Sequence, residues 1–487
     1  MEIKNIKSEI TQSLFKNLFS IDEVVSVTIV GSFVENNDLS GISDIDTVVI
    51  CNSLNQNIFN KCLDAVNKID IQKCGLIDFT LKINSTFGPL KFDGPKIAVI
   101  HLMVYDVIGH VNHVKSSPFT CYDWERSRTY KGLRLKEIFP VGRLQIRDFM
   151  EVRRSTNNYI KDIENNSISY REYKFNNESY LQEKKFKKLD NKHIGEYAFH
   201  IFKNLTINYI KLINQKNISL FDEELSSRIY NSSINNNNFH SKNFLKLSKL
   251  KKLRSESYPK ETKSWIRSFL FDFLNMIDND WMNSKKIYFV RHYKTSLNDG
   301  SFLGQGRDPS IVANQTKLNI KNDNVSIVFT SPLKRAVQTS HYNFPRHIIK
   351  EDQRLCEINY GLAEGMFYND FISTFPNIKK GWDNGLDMAF PKGESNNDVL
   401  NRLKIFLADL NIYLDKSKQS PVAVISHNCV LRCLLGYFLD VDADKWHLLN
   451  IPHAKPIEFL YNDGKYFCNV KREDLYKILA KFSESKI

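Results

Sequence analysis

Apolar side chains along this chain follow two periods. In the first twenty residues Ile3, Ile6, Ile10, Leu14 and Leu18 recur at helical spacing with polar residues between them, which predicts an amphipathic helix and not a cleaved leader. From Val24 to about residue 110 the pattern shortens into the strand-like runs VVSVTIVG, DTVVIC, LIDFTLKI and KIAVIHLMVYDVI, interrupted by one helical stretch, QNIFNKCLDAVNKI. Strand runs alternating with a helix predict a small mixed-sheet α/β domain, bounded at residues 1–119. Residues 120–283 turn to long, Lys-rich segments of helical period. There GEYAFHIFKNLTINYIKLI puts Tyr197, Ile201, Leu205, Tyr209 and Leu212 on one face, so a helical middle domain is expected. Within it NSSINNNNFH, residues 231–240, lacks an apolar period and reads as a surface loop, and KLSKLKKLRSE from Lys246 reads as a solvated basic helix face. From Ile287 onward short strand runs (IYFV, SIVFTS, VAVIS) again alternate with helices, predicting a second α/β domain over 284–487. No internal repeat is visible, and the expected whole is an α/β multidomain chain.

At 487 residues the chain exceeds what one core ordinarily organises. Its 42% hydrophobic and 12% aromatic content is that of a globular protein and excludes a largely disordered one. A formal charge of +13 suits phosphate-rich ligands without choosing between nucleotides, RNA and phosphorylated metabolites. Eight cysteines lie scattered with no CxxC pair, as expected of reduced thiols. Cys429 and Cys433, four apart in the apolar CVLRCLLGYFL, read as core. No apolar run approaches the roughly eighteen residues of a membrane span, so a cytoplasmic protein without membrane partners is expected.

KKIYFVRHYKTSLND sets Arg291 and His292 side by side at the tip of a strand-like run. A phosphoryl group in transit spreads charge over its oxygens, and moving it through a side chain needs a nucleophile ringed by cations. Downstream come FTSPLKRAVQTS with Arg335 one turn into a helix, RLCEINYGLAEGM with Glu357, FPKGESNNDVLNRL, and VAVISHNCVLRCLLG with His427 at a strand end. In this order the strings resemble the histidine phosphatase superfamily, its phosphoglycerate-mutase-like branch, over roughly residues 285 to 470. The resemblance implies a three-layer α/β fold and a catalytic set. His292 would attack phosphorus and become a phosphohistidine, Arg291, Arg335 and His427 would hold the oxygens, and Glu357 would protonate the departing oxygen and then activate water. No metal or other cofactor is implied there. Asn298 and Gln305 to Asp308 (QGRD) would line the pocket's first loop. The family usually has a small residue after the histidine; Tyr293 stands there instead and is expected to narrow the pocket. EINYGLAEGM with PKGES looks more like phosphatase members of the fructose-bisphosphatase and cobalamin-phosphatase type than a mutase.

A second constellation lies near the other end. TIVGSFVENNDLSGISDIDTVVI pairs a strand ending in Gly31 and Ser32 with Asp44 and Asp46 entering the next strand. Residues two apart on a strand face one side, where two carboxylates repel unless a divalent cation joins them, and hard oxygen ligands suit Mg2+. Gly31 lets backbone approach a triphosphate, and Ser32 can bond to it. A third carboxylate is expected on a neighbouring strand: Asp78 in GLIDFTLKI, with Asp106 in HLMVYD in reserve. GS, an eleven-residue gap, DID and a strand aspartate resemble the nucleotidyltransferase superfamily of the DNA polymerase β type over roughly residues 20 to 110. The resemblance implies that Asp44, Asp46 and Asp78 bind Mg2+ and NTP, and that an NMP passes to a hydroxyl acceptor with loss of pyrophosphate, the third carboxylate activating the acceptor. Lys91 in TFGPLKF, and Arg126, Arg128 and Lys131 in WERSRTYKG, are candidate phosphate contacts, each with a plainer reading as a solvated basic residue.

Two phosphorus chemistries in one chain complement each other, since a phosphatase unmasks a hydroxyl and such a transferase consumes one. The expected protein is a bifunctional enzyme acting on a small molecule such as a sugar, polyol or amino alcohol. One alternative keeps both chemistries but takes RNA, most plausibly tRNA, or a protein side chain as acceptor, in a toxin or defence role. It draws on the charge of +13, whereas no RNP, KH or zinc-finger pattern appears. Another makes the N-terminal domain a non-catalytic NTP sensor that tunes the phosphatase.

Overall fold

The computed structural model describes residues 3–35, 44–84, 96–176, 180–216, 218, 220–253, 255, 257–320, 325–417 and 421–469. Met1–Leu144 with Asp148–Trp281 form one compact unit, and Gln145–Arg147 with Met282–Ile487 a second.

In the first unit β1 (Val24–Val30), β2 (Asp44–Cys51), β3 (Thr80–Ile83), β4 (Ile97–Asp106) and β5 (Tyr130–Gly132) form a sheet in the order β3-β4-β2-β1-β5. β1 is antiparallel to β2 and β5, while β2 and β3 run parallel to β4. The period of two along each strand sorts side chains onto two faces. Val27, Ile29, Ile45, Val49, Ile100 and Leu102 are buried on one, in a core shared with the helices Ile3–Leu18 and Gln56–Asn67. Ile6, Ile10, Leu14 and Leu18 supply the apolar stripe their spacing predicts. On the other face Val48, Met103 and Tyr105 are buried at one end, where Tyr105 meets His113 of the helix Val107–Ser116. Asp44, Asp46 and His101 share that face toward the other end.

The boundary expected at residue 119 falls inside this unit. β5 pairs with β1 through Ser26↔Gly132, Val27↔Lys131 and Thr28↔Tyr130, so a strand from the supposed middle domain completes the sheet. That segment is not purely helical either. Beside the helices Ile146–Glu164, Asn191–Asn214, Asp222–Tyr230, Asn237–Lys252 and Thr262–Asn283 it holds an antiparallel hairpin, β6 (Ser167–Phe175) and β7 (Tyr180–Lys188). Phe175 of the hairpin stacks on Phe59 at 4.7 Å between ring centroids. Tyr197, Ile201, Leu205, Tyr209 and Leu212 are buried along their helix as predicted. The Asn-rich stretch is a loop only in part: Asn237 opens a helix, because His240, Phe244 and Leu247 continue one apolar face. His240 is buried with Nε2 2.9 Å from Asp272 Oδ2.

The second unit is built on β8 (Lys285–Arg291), β9 (Ile327–Thr330), β10 (Ile349–Glu351), β11 (Val422–Ser426), β12 (Ile457–Asn462) and β13 (Lys465–Cys468), ordered β10-β9-β11-β8-β12-β13. The first four neighbours are parallel, and β12 and β13 are antiparallel additions. β11 is buried at every position, as a central parallel strand covered on both faces must be. Val290, Val328, Ala423 and Ile425 pack with Ala336 of the helix Lys334–Asn343. Phe329 meets Phe406 and Tyr413 of the helix Asn396–Lys416 on the opposite face. No helix among the described residues is long and apolar enough to cross a membrane.

Candidate active site and metal-ligand cluster

Parallel strands leave a crevice beyond their carboxyl ends, and the charged residues of the second unit follow that rule. β8 ends at Arg291 opposite Ser426, the last residue of β11, so His292 and His427 emerge side by side with ring centroids 5.0 Å apart. His292 Nδ1 lies 2.5 Å from the Tyr293 carbonyl. A carbonyl only accepts, so Nδ1 carries the proton and Nε2, with no hydrogen bond among the described residues, keeps its lone pair. Burial, then the charge of Arg335, hold His292 well below the usual imidazole range; burial, then His292, do the same to His427. Both rings are therefore neutral at pH 7.

The cations are fixed by the backbone around them. Arg335, fully buried in the first turn of the helix Lys334–Asn343, donates from Nη2 to Gly304 O at 2.8 Å and from Nη1 to Asp308 Oδ1 at 3.3 Å. Arg291 Nη1 donates to Ile451 O at 2.8 Å, and burial pushes its guanidinium down to about 10 while Glu357 opposes the shift. Glu357 Oε1 accepts from Cys429 N and Ile358 N, both at 3.0 Å. Cys429 lies in the first turn of the helix Asn428–Leu439. The Glu357 carbonyl is pinned by Gln305 Nε2 at 2.7 Å and Arg402 Nη2 at 3.2 Å.

Arg291 Nε, Arg335 Nε and His427 Nδ1 are buried with no hydrogen-bond partner among the described residues. Open buried donors are rare in folded proteins, and several in one cluster fit a phosphoryl group that would satisfy them. His427 joins the donors when the Ser331 hydroxyl, 2.8 Å from Nε2, gives that nitrogen its hydrogen and leaves the proton on Nδ1.

The other residues singled out by sequence do mostly structural work. Asn298 Oδ1 accepts from Thr295 N at 2.8 Å, and Asp308 Oδ2 accepts from Lys334 N at 2.7 Å. Arg307 binds Ser301 Oγ and Phe302 O. Tyr293 does not narrow the pocket: its ring is buried in the core with Val290 and Phe344, because its hydroxyl finds partners there, its one proton shared between Thr316 O at 2.7 Å and Asn343 Oδ1 at 3.0 Å. The eight cysteines are free, and Cys433 is buried. Two residues escaped sequence reasoning. His453 Nδ1–H donates to the His292 carbonyl at 2.8 Å, and burial, then Arg291, push it down to about 4. Arg432 donates from Nε to Leu449 O at 2.8 Å and its charge acts on Arg291. A lone arginine in the apolar CVLRCLLGYFL was a readable flag; His453 in IPHAKP had no periodic context.

In the first unit the strand register, not the expected spacing, decides what stands beside the paired aspartates. Asp46 is opposite His101 on β4, and His101 Nδ1 lies 3.0 Å from Asp46 Oδ1 and 3.2 Å from Asp44 Oδ2. One ligand atom from each of the three falls within 4.8 Å of the others. Gly31 is at φ +75°, and a Cβ there would sit 2.7 Å from Asp46 Oδ2, so only glycine lets the chain pass this carboxylate. Burial, foremost, raises the Asp46 carboxyl above the usual range; His101 opposes this and Asp44 adds to it.

Asp78 is not the third member. It is an exposed turn residue at φ +66°, ahead of the edge strand β3, and pairs with Lys96 at 3.5 Å. The run LIDFTLKI forms a strand only from Thr80, and β4 separates that strand from β2. Asp106 ends β4 opposite Cys51, five register positions from His101, and its carboxylate caps the next helix by accepting from Gly109 N at 2.6 Å. Ser32 opens the short helix Ser32–Glu35 after Gly31. Lys91 lies outside the described residues. Arg126 stacks over Tyr122 and donates to Tyr122 O and Gly142 O, and Lys131 lies over Phe19, which leaves both in structural roles.

Two neutral histidines, two arginines and a glutamate thus gather at the carboxyl edge of a covered parallel sheet. Residues 287–473 match the family model described as histidine phosphatase superfamily (branch 1), and the second unit is a domain of that superfamily. Curated relatives are 6-phosphofructo-2-kinase/fructose-2,6-bisphosphatase of Caenorhabditis elegans, 30% identical over 178 residues (34% of this chain, 37% of the relative). A second is 6-phosphofructo-2-kinase/fructose-2,6-bisphosphatase 1 of Homo sapiens, 30% identical over 182 residues (36% of this chain, 37% of the relative). The chain thus spans little more than a third of the length of these relatives. Among solved structures it is similar to the alpha-ribazole phosphatase from Shigella flexneri at 20% identity and TM-score 0.34, covering 38% of this chain and 96% of that one.

Proposed function

We propose that the C-terminal unit hydrolyses phosphomonoesters through a phosphohistidine on His292, with a small phosphorylated metabolite of the sugar-phosphate kind as substrate. The observation that carries this is the 2.5 Å bond from His292 Nδ1 to the Tyr293 carbonyl, which leaves Nε2 as a neutral nucleophile beside open cationic donors. In the first half Nε2 attacks phosphorus, the ester P–O bond breaks, and the departing alkoxide takes a proton from Glu357. In the second half Glu357 takes a proton from water, the oxygen attacks phosphorus, and the P–N bond breaks to return His292 and release phosphate. Arg291, Arg335 and His427 bear the charge that grows on the phosphoryl oxygens. Rapid quenching during turnover of a phosphorus-32-labelled sugar phosphate is expected to trap label on the protein that survives alkali and is lost in acid, as a phosphoramidate is. Absence of labelled protein at every quench time, with hydrolysis running, would remove the covalent route.

For the N-terminal unit the reading favoured by Asp44, Asp46 and Gly31 is metal-dependent transfer of an NMP from an NTP to a hydroxyl acceptor. The donor set fits a divalent cation, since two carboxylates converge with a third ligand atom and Gly31 keeps the approach open. Such an ion, when bound, would neutralise triphosphate charge and polarise the reacting phosphorus. Asp44 and Asp46 would hold it, and Ser32 would contact the phosphates. The role implied for Asp78, activating the acceptor, has no carboxylate to fill it among the described residues. Incubation with each labelled NTP and a metabolite extract is expected to label a small molecule and release pyrophosphate. Asp44→Ala with Asp46→Ala should abolish both and leave phosphatase turnover within about twofold, because the two sets of side chains belong to separate compact units and share no partner among the described residues. Label in RNA or protein instead would move the acceptor to those classes, and no pyrophosphate from any NTP would leave this unit a sensor.

A further inference from the structure

Resting on the reading of Asp44 and Asp46 as metal ligands, we infer that His101 is the third ligand, so that this centre takes a nitrogen-accepting divalent transition metal, Mn2+ or Zn2+, in preference to Mg2+. One ligand atom from each of the three side chains lies within 4.8 Å of the others, close enough to meet on a single ion. Ligands about 2.0 to 2.2 Å from a common ion stand about 2.8 to 3.6 Å apart at angles between 90° and tetrahedral. His101 Nδ1 lies 3.0 Å from Asp46 Oδ1 and 3.2 Å from Asp44 Oδ2, inside that window on both sides.

The fold holds the trio in place. Asp44 and Asp46 are two apart on β2 and so share a face, and the parallel register sets His101 directly across from Asp46. His101 is 6% exposed while the aspartates are 22% and 30% exposed, so the imidazole forms the floor and the carboxylates the open rim. The floor is closed by Gly31, whose missing side chain is the space Asp46 Oδ2 occupies. A hard ion such as Mg2+ prefers an all-oxygen shell and keeps its waters, whereas imidazole suits Mn2+ less and Zn2+ more strongly along the usual affinity order. Replacing a carboxylate by imidazole also lowers the ligand charge from three to two, which weakens the hold on a hard ion. The plain alternative is that a protonated His101 serves as the counter-ion itself, bridging both carboxylates; then no ion is needed and none is taken up.

Calorimetric titration of the metal-stripped full chain with Zn2+, Mn2+ and Mg2+ separates these cases. One equivalent is expected to bind, lost in Asp44→Asn with Asp46→Asn, and with Zn2+ favoured over Mg2+. His101→Asp is expected to lower the Zn2+ to Mg2+ affinity ratio by about tenfold or more. His101→Gln serves as a second variant, and circular dichroism confirms that each is folded. Pulsed electron paramagnetic resonance of the Mn2+-loaded chain should show coupling to a ligand nitrogen that vanishes in both His101 variants. An unchanged ratio with nitrogen coupling absent from the parent chain would overturn the assignment of His101 and leave the metal site itself standing. No uptake of any of the three ions would overturn both.

Discussion

His292→Ala is expected to cut phosphomonoester turnover by about 10⁴-fold or more, because it removes the covalent nucleophile and leaves only the cationic cage. The loss should appear in steady-state hydrolysis of p-nitrophenyl phosphate and of sugar phosphates alike, and NMP transfer should not change. Residual hydrolysis within tenfold of the parent chain would exclude His292 as the group that attacks. The pH dependence carries the same information. The His292 imidazole is held well below its usual range by burial and by Arg335, so it remains unprotonated, and nucleophilic, as pH falls through 6. A rate that collapses across the ordinary imidazole range would mean that the ring titrates as an exposed one does.

Glu357→Gln is expected to lower hydrolysis of an alkyl phosphate by about 10² to 10⁴-fold, the usual worth of a positioned proton donor. The amide keeps the shape and one acceptor for Cys429 N, 3.0 Å from Oε1, so folding should survive. The loss must depend on the leaving group. A p-nitrophenolate departs without a proton, so formation of the phosphoenzyme from that substrate, read as the burst amplitude and rate, should be nearly unaffected while an alkyl phosphate stalls. Equal losses in that first step for both substrates would make Glu357 a positioning residue.

Much of this was legible in the sequence, for reasons that differ by residue. Ile6, Ile10, Leu14 and Leu18 mark a helix because burial of one face imposes a period. His292 and His427 were visible because each lies two residues past a short apolar run, Ile287–Val290 and Val422–Ile425, and such runs are central parallel strands whose ends meet. β5 was not visible: three residues, Tyr130–Gly132, pair with β1 through backbone hydrogen bonds that carry no side-chain pattern. Asp78 misled because apolar neighbours make LIDFTLKI look like one strand, while the backbone at Asp78 is left-handed. His101 could have been read. In IAVIHLMVYD the alternation sets Val99, His101, Met103 and Tyr105 on one face and Ile100, Leu102 and Val104 on the other, and the histidine shares the first with the aspartates once β2 is its neighbour. What the chain alone withheld was that neighbour, since β2 and β4 are far apart in sequence.

Tyr293 ties the reactive ring to the interior of its layer. Its carbonyl selects which imidazole nitrogen is bare, and its hydroxyl is anchored to Asn343, at the far end of the helix that begins beside Arg335. A single helix thus supplies a cation at one end and, through a phenol and a peptide group, the tautomer of the attacking base at the other. Because the same Asn343 amide also accepts from Leu318 N, a substitution there is expected to loosen the packing of this layer and the setting of the imidazole together.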